Sequence, residues 1–460
     1  MFSETFLRSV LKTALSRGGD YCDVFIEDRE DTAISFDNGK IKGISSGTTA
    51  GAGIRVIYGT NYVYLYSGNP TEKTLMELAE RTAQAMKWDH AGNLGALDKR
   101  EARNLVRPTV DPGSIGIDKK VAMVERANQA ARDQSALIQE VVVRYMDHDQ
   151  RVTVATSDGV LSNDRRVRTR IVVQSIAAQG DKKETGFNGP GRGMGYEYFD
   201  LFSPEDVAKE AARVALVRLD ADYAPQGKMP VVIENEFGGV IFHEACGHSL
   251  EATSVANDAS VFTGMFGKKI AADMVCAVDD GTIPGAWGTL DYDDEGNPTQ
   301  RNQLIKDGVL TSYMIDRLGS IKMNMPGTNS ARRESYRYAP TSRMTNTYIE
   351  EGNETVESMI GSIDSGIYCA KLGGGSVNPA TTDFNFAVQE GYLIKNGKID
   401  RPVKGASLIG KGSEILLNIE MVGNNLNAAG TGMCGSLSGS IPAAVGQPAI
   451  KVAGLVVGGR

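Results

Sequence analysis

Twice in its first 220 residues the chain passes through one order of elements: a helix, strands folded about an acidic-glycine turn, and a closing helix. Residues 3–16 have helical spacing and stop at Gly18-Gly19. Tyr21–Glu27 reads as a strand, and Ala33–Phe36 and Lys40–Ile44 flank Asp37-Asn38-Gly39, a strong hairpin signal. Ile54–Tyr58 and Tyr62–Tyr66 follow, and Pro70-Thr71 opens a helix to about Lys87. Beyond a Pro- and Gly-rich loop (about 91–117), residues 118–133 read as helix. Leu137–Asp147, Val152–Thr156 and Val167–Ala178 read as strands, with a turn at Ser157-Asp158-Gly159. Ser203-Pro204 then starts an amphipathic helix over 204–218. The order predicts an N-terminal α/β domain over 1–225, with a pseudo-repeat of sub-blocks 1–90 and 118–220.

The second half changes character. Past about residue 255 little helix is expected except a turn near 354–361, and short strands alternate with glycine turns: Gly288–Tyr292, Leu304–Ile305, Val309–Ile315 and Phe386–Ile394. This predicts a mostly antiparallel β-rich C-terminal domain over 226–460, sandwich or barrel-like. The fold class is therefore α+β. Fifty-three glycines agree with many turns.

A net charge of −8 and a pI near 5.3 speak against nucleic-acid binding. The most basic run, Arg165-Arg166-Val167-Arg168-Thr169-Arg170, puts Arg166, Arg168 and Arg170 on one strand face. A solvated face is the expected reading, with a stripe for an acidic partner as the alternative. Gly189–Gly195 is expected to be a loop, not a phosphate cradle. Five scattered cysteines make no disulfide framework. The first residues lack a signal-peptide core, and no run reaches the ~18 apolar residues of a membrane span. The cytoplasm is the expected location, with no membrane partner.

Two of the four histidines fall in one segment, Ile241-Phe242-His243-Glu244-Ala245-Cys246-Gly247-His248-Ser249-Leu250-Glu251. A short apolar run, Met229–Glu234, reads as the buried strand leading to it. His-Glu followed by a second His is how a helix offers two imidazoles to zinc and a carboxylate to its water. Here one residue is added to the usual H-E-x-x-H spacing. On a regular helix, ligands five apart are rotated by roughly 140°, against about 40° for four apart. A π-bulge eased by Gly247 would restore the alignment of a helix expected over about 236–252. Two core histidines on an apolar helix are the plain alternative.

Catalytic zinc takes three protein ligands and keeps one position open. Glu251 lies on the same segment, and Cys434 sits in a glycine-packed turn; spacing alone does not select Cys434 over Cys246, Cys276 or Cys369. The latter three have apolar or strand-like neighbours and read as small core residues.

The run His243–Glu251 resembles the signature of the TldD/PmbA family of bacterial and archaeal peptidases. Gly432-Met433-Cys434-Gly435-Ser436-Leu437-Ser438-Gly439-Ser440-Ile441-Pro442 resembles its second hallmark, and Asp294-Glu295-Gly296 and Arg343-Met344-Thr345-Asn346 are also family-like. The resemblance spans essentially the whole chain. It implies a metal-bearing TldD-type subunit with one zinc per chain on His243, His248 and Cys434, and with Glu244 as catalytic carboxylate. It also implies peptide substrates and a dimer enclosing the site, either a homodimer or a heterodimer with a PmbA/TldE-like paralogue. Ser249-Leu250-Glu251-Ala252-Thr253 departs from the Gly-Leu-Glu-Gly-Asp of many relatives, which leaves the ligands intact but not the following loop.

The expected activity is zinc-dependent hydrolysis of unfolded or short peptides, with Glu244 as base. Arg343, Gly374 and Asn378 are the candidate substrate-binding residues, Arg343 together with Arg332, Arg333 and Arg337 as grips for a carboxylate. Two other functions compete: a zinc amidase acting on small molecules, and a regulatory subunit with a structural metal.

Overall fold

The computed structural model describes residues 2–86, 92–378 and 381–459; Lys87, His90 and Pro379 lie outside them. The first block comprises α1 (Glu4–Ala14), β1 (Tyr21–Asp37), β2 (Lys40–Tyr58), β3 (Asn61–Gly68) and α2 (Glu72–Ala85). The second comprises α3 (Ile117–Arg132), β4 (Ile138–Thr156), β5 (Val160–Gln179), β6 (Lys182–Asn188) and α4 (Pro204–Asp220). The pseudo-repeat is real. Its strands form one antiparallel sheet in the order β3-β2-β1-β4-β5-β6, joined at the centre by β1 and β4 from Asp23↔Thr156 to Asp37↔Val142. Strands that read as separate short pieces are continuous, β1 running 17 residues and β4 running 19. Each has a neighbour on both edges, so the ladder carries the backbone through polar stretches such as Glu27–Thr32.

Both helix pairs cover the same face of this sheet. Leu7, Leu11, Leu75 and Leu78 pack with Val24 and Ile54, and Val124, Ala127, Ala208 and Ala211 pack with Val141, Ile171 and Val173. Strand alternation sends Asp23, Arg55, Asp164, Arg166 and Arg168 to the opposite face. That face is buried, not solvated: Arg166 and Arg168 are each 3% exposed. The second half of the chain covers it, Arg55 pairing with Asp23 and Glu295 at 2.7 Å each and Arg166 with Asp294 at 2.8 Å.

The second half contributes β7 (Gly227–Ile233), α5 (Val240–Ala245), β8 (Ala277–Asp280), β9 (Arg301–Lys306), α6 (Arg317–Met323), β10 (Asn346–Ile349) and α7 (Val356–Gly361). It continues with β11 (Ser365–Val377), β12 (Asp383–Lys395), β13 (Lys398–Lys404), β14 (Ser407–Lys411), β15 (Asn427–Ser436), β16 (Gly439–Gln447) and β17 (Ile450–Gly458). Strands β11-β7-β17-β14-β12 close into a ring because β11 also pairs β12, antiparallel except at β7–β11. A second sheet runs β9-β8-β10-β16-β15. Helix α5 is wedged between them, with Phe242 and Ala245 in a core shared with Ile367 and Phe386 of the barrel and Ile441 and Val445 of the sheet.

Some expected strands do not form. Gly288–Tyr292 is irregular because its polar groups are taken elsewhere: Arg168 donates to the carbonyls of Trp287 and Thr289, and Gly288 N–H donates to Asn346. Val309–Ile315 keeps only Val309–Leu310 as strand. Helix α6 departs from the helix-poor expectation for this half; Asp316 caps it, its side chain accepting from Gly319 N–H. Among the described residues no helix is long and apolar enough to cross a membrane.

Candidate metal centre

The motif does not lie on one bulged helix over 236–252. A 3-10 turn (Glu236–Gly239) leads into α5, which ends at Ala245; a second 3-10 turn, Gly247–Leu250, carries His248. Cys246 turns the chain between them at φ −128°, ψ −49°. The extra residue is absorbed by breaking the helix rather than by widening one turn. Gly247 serves packing instead: a Cβ there would strike the sulfur of Met344. Gly239 seats the start of α5 directly on the Gly446 backbone of β16.

The break aims both rings at one point. His243 Nε2 lies 3.3 Å and His248 Nε2 3.2 Å from Cys434 Sγ, with the rings nearly perpendicular at 86°. All three donor atoms lie within 4.8 Å of one another, so the cluster could hold a metal ion. Each ring is anchored by its other nitrogen, a recurrent feature of metal-ligating histidines. His243 Nδ1 is 3.1 Å from Thr347 Oγ1 on β10, and His248 Nδ1 is 3.3 Å from Glu251 Oε1. Cys434 comes from β15, opposite Ile441 of β16.

Burial opposes the Cys434 thiolate, but the charges and hydrogen bonds of His243 and His248 outweigh it and bring its pKa down to about 3. Burial also opposes the charge of His248, yet Glu251 and Cys434 hold its pKa well above the ordinary value. Burial pushes the Cys246 and Cys369 thiols up instead, as fits core residues. Glu244 faces the cluster with Oε2 3.8 Å from His248 Nε2, and its side chain is 26% exposed against 13% for His248.

Arg343 is fully buried beside the cluster. Its guanidinium donates to the carbonyl of Cys434, to Ser438 Oγ at 3.0 Å and to Gly439 O at 3.0 Å, with Nε 3.8 Å from Glu251. Arg332 and Arg333 are buried too, and only Arg337 is exposed. Gly374 lines a cavity of about 920 Å³ between the barrel and the Phe187–Pro190 segment, which also reaches Gly432 and Met433 just before Cys434. Asn378 follows β11, its N–H donating to Asp383 O at 2.9 Å. Thr347 and the orienting place of Glu251 escaped the sequence reading. The Asn346-Thr347 strand end carries no spacing signal toward His243, and Glu251 reads equally well as a ligand.

Models of the PmbA/TldA metallopeptidase domains match residues 22–86 (domain 1), 110–219 (central domain) and 226–459 (C-terminal domain). The Metalloprotease TldD homolog of Haemophilus influenzae is 36% identical over 455 residues, 96% of this chain and 94% of that protein. A metalloprotease of Methanothermobacter thermautotrophicus is 29% identical, covering 96% of each. In fold, the chain is similar to a putative modulator of a DNA gyrase from Thermotoga maritima (TM-score 0.81, 18% identity, 99% of this chain and 100% of that one). It is also similar to TldE from Thermococcus kodakarensis (TM-score 0.78, 17% identity, 98% and 99%). With all three domain models matched in order and a curated metalloprotease 36% identical over nearly its full length, the chain belongs to the PmbA/TldD metallopeptidase family.

Proposed function

We propose that this metallopeptidase is a zinc enzyme hydrolysing unfolded or short peptides, with His243, His248 and Cys434 as ligands and Glu244 as the base. The observation that carries this reading is the convergence of two Nε2 atoms on one thiolate sulfur while both Nδ1 atoms are held from behind. The donor set fits. Tetrahedral zinc with Zn–N of about 2.05 Å and Zn–S of about 2.3 Å separates N and S by about 3.5 Å, close to the 3.2 and 3.3 Å seen. When bound, zinc supplies a Lewis acid for a peptide carbonyl and acidifies water.

The chain's own residues do the rest. Glu244 lies on the ligand side of the His248 ring and is the more exposed of the two, which supports its carboxylate as the group that takes a proton from water and returns it to the leaving amine. Thr347 and Glu251 fix ring orientation. Arg343, enclosed and bonded to the Cys434 carbonyl, positions the thiolate hairpin rather than gripping a peptide directly. The cavity lined by Gly374 and reaching Met433, at about 920 Å³, has the volume to take a short peptide, and Asn378 follows the strand that carries Gly374.

Met433 and Leu437, flanking Cys434, are 53% and 79% exposed. A second subunit, either another copy or a TldE-like paralogue, would cover this apolar tip and enclose the site. Five free cysteines fit a reducing cytoplasm.

The test is metal content per chain in protein purified without chelator, followed by hydrolysis of an unstructured peptide. About one zinc is expected. Glu244→Gln should keep the zinc and lose hydrolysis by roughly 10²–10⁴-fold. Metal-free folded protein would sink the zinc reading, and full activity in Glu244→Gln would remove the base.

A further inference from the structure

A second, smaller cavity of about 260 Å³ lies between the first sheet and the β15–β16 hairpin, lined by Arg168, Arg332, His148, Glu334, Met433 and Ser440 among others. Its arginines are not alike. Arg166 is paired with Asp164 and Asp294 at 2.8 Å each, and Arg333 stands 3.5 Å from Asp23. Arg168 and Arg332 are as deeply buried, each 3% exposed, yet among the described residues no carboxylate comes within ion-pair distance of either. Arg168 donates to the Trp287 and Thr289 carbonyls and meets His148 Nε2 at 3.3 Å; Arg332 donates to Met344 O at 2.6 Å. Neutral acceptors do not balance a buried charge, which is expensive to leave without a counter-ion. Burial first, and then repulsion from Arg332 and Arg166, brings Arg168 down to about 9; burial brings Arg332 to about 10, with the more distant Asp294 opposing the shift and Arg166 and Arg343 adding to it.

The acids lining the cavity limit what can fill it. Asp31 is held by Arg29 at 2.8 Å and Asp294 by Arg166, which leaves Glu334, bonded to Ser440 N–H at 2.7 Å. Two unpaired guanidiniums against one unpaired carboxylate leave a single positive charge, which suits a monoanion better than a dianion. The volume admits a ligand about the size of one amino-acid residue. We propose that this cavity binds a residue-sized carboxylate, received on the forked donors of Arg168 and Arg332. Its carboxylate is either that of a free small acid or the C-terminal carboxylate of a peptide. None of His243, His248 and Cys434 lines this cavity, which shares with the candidate metal centre the strand β15 that carries the cysteine.

The proposal does not depend on the peptidase reading, because binding is measured directly. Calorimetry on the intact, metal-loaded protein would compare N-acetylalanine, its uncharged amide, acetate and inorganic phosphate. Saturable binding of N-acetylalanine is expected, with the amide at least tenfold weaker. Acetate binding as tightly would identify the free-acid source, whereas N-acetylalanine binding far more tightly would identify a chain terminus. Arg332→Met should abolish binding. Because that variant removes a buried side chain, Ser440→Trp at the exposed rim provides a second test and should weaken binding at least tenfold with zinc content unchanged. Equal binding of the amide, tighter binding of phosphate, no saturable binding, or binding unchanged in Ser440→Trp would each overturn the assignment.

Discussion

At the scale of single residues, the candidate centre depends on groups that never face the metal position. Glu251 and Thr347 hold the Nδ1 atoms of His248 and His243, and outer partners of this kind typically affect metal affinity 10–100-fold. Glu251→Gln is therefore expected to weaken metal binding by about 10–100-fold without unfolding the chain, read by competition with a chelator; unchanged affinity would make Glu251 a packing residue. The histidine pair and the carboxylate beside it were legible in the sequence, because chemistry and spacing coincide there. Thr347 was not, since a threonine about a hundred positions away has no local mark, and Glu251 carried no sign of orienting rather than ligating. Acidity follows the same logic of place. Burial raises Asp279 to about 6, against the hydrogen bonds from Thr345 that lower it. Its folded pKa lies above the ordinary value of about 3.9, so its contribution to stability is complete below about pH 4 and is lost as pH rises through about 6. Melting temperatures between pH 4 and 8 should show this fall, and Asp279→Asn should remove that part of it; an identical slope in the variant would contradict the assignment.

At the scale of elements, the five-residue histidine spacing is resolved by a helix that stops. The five-residue spacing excludes a regular helix, but nothing in the sequence chose between a bulge and a break. Packing made that choice: α5 is wedged between barrel and sheet, and Cys246 turns under Phe242, its N–H still bonding the Phe242 carbonyl at 3.0 Å. The two tight glycines then differ in a measurable way. An added methyl at Gly239 meets the Gly446 backbone, which cannot move aside, whereas at Gly247 it meets the flexible Met344 side chain. Gly239→Ala should therefore lower stability by more than Gly247→Ala, which is expected to cost roughly 1–3 kcal/mol. Denaturant midpoints for the two variants decide it, and the reverse order would show that the Gly446 segment yields. The long strands of the first sheet follow the same principle, because two-sided ladders carried chain that alternation alone reads as broken.

At the scale of the whole molecule, the halves are joined through buried charge. Arg55 links Asp23 of its own sheet to Glu295 of the second half, with all three side chains at most 2% exposed. Removing one member strands the others, a loss of about 3–5 kcal/mol for a buried pair. Arg55→Met should show such a loss, and adding Glu295→Gln should recover part of it, since Asp23 keeps Arg333 at 3.5 Å. No recovery in the double variant would mean that packing, not uncompensated charge, dominates. By itself the sequence determined the α+β class, the repeated helix–strands–helix order and the candidate His-Glu-His motif, because periodicity, turn residues and ligand types are local properties. Only the tertiary structure decided that the arginine stripe of β5 is an internal seam, that Cys434 meets the two histidines, and that Arg168 and Arg332 are buried with no carboxylate among the described residues at ion-pair distance. Those outcomes depend on which surfaces meet across some two hundred residues of chain, and the burial that follows sets the cost of every charge along them.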